Sequence, residues 1–144
     1  MMRRAWALAG SLLAVQGTLA CGYCVEDKVA LVYDHSVIVR ALNKQHEVAF
    51  LAIEGPLAAS PGLQREVERA IETTNGVDRA SARVSLAGAS LAFTYDPARA
   101  PLGSIMRSLD KNLGVKGIRT TLLRIVSENS DEPIVKAALR PAGR

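Results

Sequence analysis

Between Cys24 and Lys44 the apolar residues Val25, Val29, Val32 and Val39 recur at helical spacing, and Tyr33, Val37, Ala41 and Leu42 widen the stripe. Glu26 and Asp27 fall in the first turn and Arg40 and Lys44 in the last, as the helix dipole favours. The pattern predicts one long helix over this stretch. Its several valines lower intrinsic helix propensity, so it should depend on packing against another element.

After His46 the period changes from helical spacing to alternation. Glu47 to Glu54 reads as a strand with Val48, Phe50 and Ala52 on one face and Ala49, Leu51 and Ile53 on the other. Both faces are apolar, so both should be covered. Gly55 to Ser60 is a loop, and Ser60-Pro61 is a helix opening with the serine as cap and the proline in the first turn. Leu63, Val67, Ala70 and Ile71 form the buried side of that helix, which should stop at Asn75-Gly76.

Arg79 to Leu86 alternates again, with Ala80, Val84 and Leu86 facing in and Arg79, Arg83 and Ser85 facing out. Ala87-Gly88-Ala89 turns the chain, and Leu91, Phe93 and Tyr95 return as the second arm of a hairpin. Leu102, Ile105, Met106, Leu109 and Leu113 predict a further amphipathic helix closed by Gly114. Ile118 to Val126 is the last strand, with Leu122 and Val126 opposed to Leu123 and Ile125. From His46 onward the order is strand, helix, strand, strand, helix, strand. This is the α+β, ferredoxin-like βαββαβ unit, an antiparallel sheet with two helices on one face.

The chain divides into four segments: 1–20, 21–45, 46–127 and 128–144. Met1 to Ala20 has the form of a secretory signal, with Arg3 and Arg4 as its charged start, Ala5 to Val15 as its apolar stretch and Thr18-Leu19-Ala20 as a small-x-small cleavage site. The expected location is therefore periplasmic or secreted, with a mature chain beginning at Cys21. A lipoprotein would need a large aliphatic residue where Thr18 stands, so membrane attachment would arise only through acylation of Cys21. Without Arg3 and Arg4 the balance is 16 basic against 14 acidic residues, which does not support a nucleic-acid partner. Residues 128–144 are polar and then mildly helical, and read as a loosely held tail.

The chemistry of the chain concentrates in Cys21-Gly22-Tyr23-Cys24, which holds both of its cysteines and stands directly before the first helical pattern. Two thiols at this spacing, near the positive end of a helix dipole, can grip a soft metal ion or close into a small disulfide. Paired thiolates suit near-linear Cu(I); Zn(II), the lesser alternative, would need two more ligands. Glu26 and Asp27 stand close enough to enlarge such a site, although acidic residues are common in a first helical turn. His35 and His46, eleven residues apart, would lie more than about 15 Å from one another along a continuous helix, and read as surface or interface residues. No Ser-His-Asp or Cys-His spacing suggests catalysis, so the protein is expected not to be an enzyme.

Ile53-Glu54-Gly55, Val67-Glu68-Arg69-Ala70-Ile71, Asn75-Gly76-Val77 with Ala80, Ala82, Val84 and Leu86, and Tyr95-Asp96-Pro97 before Ile105 together resemble the heavy-metal-associated domain. This is the family of copper chaperones and of a periplasmic mercury-binding protein, and the resemblance covers residues 47–126. It implies the ferredoxin-like fold and, as partners, a metal ion and a metal-transport or metalloprotein acceptor. In that family the loop after the first strand carries the two metal-binding cysteines. Here that stretch is Pro56-Leu57-Ala58-Ala59-Ser60-Pro61, with no thiol.

The displaced cysteines could still serve the same end. The first and last strands are neighbours in the family's strand order, and their surplus apolar residues would leave a patch on the open sheet face that needs a cover. The Cys24 to Lys44 helix is the natural cover. Its short link to the first strand should run it back antiparallel to that strand, bringing Cys21 and Cys24 to the pole of the 55–60 loop. Three readings are open: a copper-binding or copper-trafficking protein using Cys21 and Cys24, a thiol–disulfide redox or disulfide-bearing protein, and a metal-free interaction module.

Overall fold

The computed structural model describes residues 24–58 and 60–130. Its elements are α1 (Val25–Leu31), α2 (His35–Leu42), β1 (Glu47–Glu54), α3 (Pro61–Glu72), β2 (Arg83–Ser85), β3 (Ser90–Tyr95), α4 (Leu102–Gly114) and β4 (Arg119–Val126). The four strands form one antiparallel sheet in the order β2-β3-β1-β4. From β1 onward this is the α+β, ferredoxin-like βαββαβ arrangement, with β1 and β4 side by side as the resemblance implies.

Alternation along β1 sorts its apolar residues onto two cores. Ala49, Leu51 and Ile53 join Val67 and Ile71 of α3, Ile105, Leu109 and Leu113 of α4, and Phe93 and Tyr95 of β3. Val48 and Phe50 point to the other face, where they meet Ala92, Val126, and the buried side of the N-terminal helices: Val29, Val32, Ile38, Ala41 and Leu42. The sheet is thus covered on both sides, which is why β1 has no polar face.

The cover is two helices, not one. The chain leaves helical geometry at Val32, and Asp34, in extended conformation, caps α2 by accepting from the Val37 N–H at 3.2 Å. An aspartate at that position competes with the helix for backbone donors and favours a new start. The break lets α1 change direction: Glu26 near its start pairs with Arg124 on β4 at 3.2 Å, whereas Leu31 at its end lies against Gly88 in the β2–β3 turn. α1 therefore crosses the sheet instead of running back along β1.

Two further departures have local causes. The alternation over Arg79–Leu86 yields a strand only at Arg83–Ser85. Ala80, read as inward-facing, is exposed with φ 58 in a turn that precedes the strand. In β4 the pairing shifts between Phe50 and Leu51, so that Arg124 faces Phe50 and Leu122 faces Leu51. This extra residue, Leu123, breaks the alternation and puts Leu122 on the same side as Ile125. Because β4 is an edge strand, Leu122 and Ile125 remain 39% exposed instead of being covered on both faces.

Candidate metal centre

Cys24 stands in extended conformation as the N-cap of α1 and is exposed. The helix behind it fixes its position. Val29 anchors that helix in the core below, and the Glu26–Arg124 ion pair holds its first turn toward β4. Asp27 folds back on the cap: its Oδ2 accepts from the Cys24 thiol at 3.1 Å and from the Cys24 backbone N–H at 3.4 Å. The result is a sulfur at the protein surface with a carboxylate beside it. Cys21, the other sulfur of the C-x-x-C, lies outside the described residues, as do Tyr23 and the whole 1–20 segment.

The expected placement of the thiols at the pole of the 55–60 loop is replaced by a different one for Cys24. The α1 residue that reaches that pole is Leu31, which shares a cleft of about 620 Å³ with Ser60, Pro61, Arg65 and Leu86. Cys24 sits at the other end of α1, about 10 Å of helix rise away. Among the described residues no thiol lines the cleft. The loop itself is shaped by backbone: Gly55 holds φ 136, and a Cβ there would stand 2.5 Å from the Gly117 carbonyl oxygen.

Neither histidine joins Cys24. His35 pairs with the Tyr33 hydroxyl at 3.2 Å on the surface. His46 is at the far pole, with Nδ1 2.8 Å from Asp78 Oδ2 and Nε2 3.8 Å from Asp96 Oδ2. The Thr94 hydroxyl donates to the same Asp78 oxygen at 2.6 Å. The sequence pattern alone makes His46 a surface residue, because these partners stand 32 and 50 positions away. Among the described residues no group of three or more His, Cys, Asp or Glu side chains converges to hold a metal ion, and no helix is long and apolar enough to cross a membrane.

No protein-family model and no curated protein sequence matches the chain. Solved structures similar to it include a copper-binding domain from HMA7, a P-type ATPase, at 19% identity and a TM-score of 0.45, over 55% of this chain and 96% of that one. Another is oxidized MerP from Ralstonia metallidurans CH34, at 16% identity and a TM-score of 0.43, over 55% of this chain and 99% of that one. A third is the N-terminal domain of a potential copper-translocating P-type ATPase from Bacillus subtilis in the Cu(I)-loaded state, at 23% identity and a TM-score of 0.44, over 60% of this chain and 96% of that one. What this chain can bind is decided by its own residues.

Proposed function

We propose that the protein binds a soft metal ion, copper before others, through Cys21 and Cys24, and buffers it or hands it to a metal-transport or metalloprotein acceptor without catalysing a reaction. The observation that carries this reading is the exposed Cys24 thiol, set at the start of a helix packed on the sheet and three positions after the other cysteine. Two thiolates at that spacing make a ligand pair for Cu(I), which accepts low coordination and favours soft donors. Cu(I) needs no third ligand from the described residues, whereas Zn(II) would.

Binding displaces the thiol protons, since the thiolate is the ligand. The hydrogen bond that the Cys24 thiol donates to Asp27 Oδ2 at 3.1 Å would be given up on binding. The segment 1–20 would direct the chain out of the cytoplasm, to the periplasm or beyond, where a free thiol pair faces oxidation. The redox reading uses the same two sulfurs and differs in their resting state. Competition for Cu(I) against a coloured chelator, on reduced protein, should give one ion per chain. A thiol count on protein taken directly from its compartment should find two free thiols or two bound to metal; a quantitative disulfide there favours the redox reading.

A further inference from the structure

At the pole opposite the 55–60 loop, the end of α2 and the turn before β2 enclose a cleft of about 200 Å³. Arg40 comes from α2, Lys44 from the turn just after it, and Arg79, Ala80 and Ser81 from the turn before β2. The side chains of Arg40, Lys44 and Arg79 make no ion pair or hydrogen bond with any described residue. By contrast Arg83, Lys116 and Arg124 each meet a carboxylate.

Among the described residues one acid lines the cleft, Asp78, and its Oδ2 is already engaged: it accepts from the Thr94 hydroxyl and stands 2.8 Å from His46 Nδ1. Among those residues three cations thus line the cleft beside one carboxylate, whose Oδ2 is already taken. For Arg40 and Lys44 the carbonyl end of α2 accounts for part of the preference. It does not account for Arg79, which arrives from a separate segment. There the backbone takes a costly form, since Ala80 holds φ 58, the left-handed region that residues with a Cβ seldom adopt. A left-handed residue in a turn swings neighbouring N–H groups toward one side, as in backbone anion nests. Among the described residues the apolar lining is limited to Val37, Ala41 and Ala80, too little to hold the body of an organic ligand.

We infer that this cleft binds a single tetrahedral oxyanion, a phosphate or sulfate group, through Arg40, Lys44, Arg79 and the turn at Ala80. Cys24 is not among the residues that line this cleft, and the inference does not depend on metal. Charge-assisted hydrogen bonds from converging cations are the strong class of such contacts, and guanidinium groups match the oxyanion's geometry.

Inorganic phosphate titrated into the full chain at constant ionic strength, followed by amide resonances and repeated with chloride, tests this. Saturable shifts should appear at Arg79, Ala80, Ser81 and the last turn of α2. Affinity should fall about tenfold or more in Arg79→Gln and in the paired Arg40→Gln, Lys44→Gln variant, with the remaining resonances in place as evidence of an intact fold. Shifts that never saturate, that chloride reproduces, or that persist undiminished in both folded variants overturn the inference. Glycerol 3-phosphate and phosphatidylglycerol vesicles form separate arms. A response to inorganic phosphate alone assigns a free anion, and a response to all three assigns an esterified phosphate such as a lipid headgroup.

Discussion

Arg83 on the edge strand β2 donates from Nε at 2.9 Å and from Nη2 at 2.8 Å to one oxygen of Asp34, the residue that caps α2. This pair ties the corner between α1 and α2 to the sheet. Asp34 also accepts from the Ser36 hydroxyl at 2.7 Å. The Ser36 bond first and the Arg83 guanidinium second hold its carboxyl well below the usual carboxylate range. A group depressed in the folded state stabilises the fold above its unfolded pKa, about 3.9 for aspartate, and that stability is lost as pH falls through the lower folded value. Asp34→Ala should therefore cost about 1–2 kcal/mol near neutral pH, the value of a cap with a charged partner left behind. The difference from the parent in urea unfolding should shrink below about pH 4. A difference that stays constant to pH 2 contradicts this role.

Leu42 tests whether the N-terminal helices belong to the core. It is 1% exposed and packs with Val48, Phe50 and Val126 on the sheet face opposite α3 and α4. Leu42→Ala should lower the unfolding free energy by about 2–5 kcal/mol, as truncation of a buried leucine does. An effect within about 0.5 kcal/mol, the usual range of surface changes, would mean that α2 does not cover the sheet.

Two glycines predict losses of different size. At Gly55 both the φ of 136 and a backbone carbonyl 2.5 Å from the added Cβ oppose a side chain. Gly55→Ala should cost about 1–3 kcal/mol, read as a lower midpoint in urea. At Gly88 the obstruction is the Cδ1 of Leu31, the mobile end of a half-exposed side chain. Gly88→Ala should be milder and should displace Leu31, visible in its methyl resonances. Equal losses at the two positions would contradict the assignment of Gly55 as a backbone-limited site.

The βαββαβ order was legible because each element carries its period cleanly: alternation over Glu47–Glu54, Ser60-Pro61 as a helix opening, and Leu102 to Leu113 as a stripe. The apolar surplus of β1 also foretold a cover on the open face, since Val48 and Phe50 need partners as much as Leu51 does. What the periods could not give were the features set by long-range pairing. Asp34 lies within a stretch that reads as a single helix, and its cap on Val37 is reinforced by a contact with Arg83, 49 residues later, that local spacing does not reveal. The shift opposite Phe50 and Leu51 likewise depends on how β4 docks, not on its own alternation. The C-x-x-C marks candidate chemistry in the sequence, but not where Cys24 lies, because the break before α2 turns α1 across the sheet.

The ion-carrier reading stands or falls on the sulfurs of Cys21 and Cys24 acting together. Native mass spectrometry of reduced chain loaded with Cu(I) should show one copper per chain, with two protons lost on binding, and Cys21→Ser and Cys24→Ser should each abolish the adduct. Full one-to-one loading in the Cys24→Ser variant would contradict it.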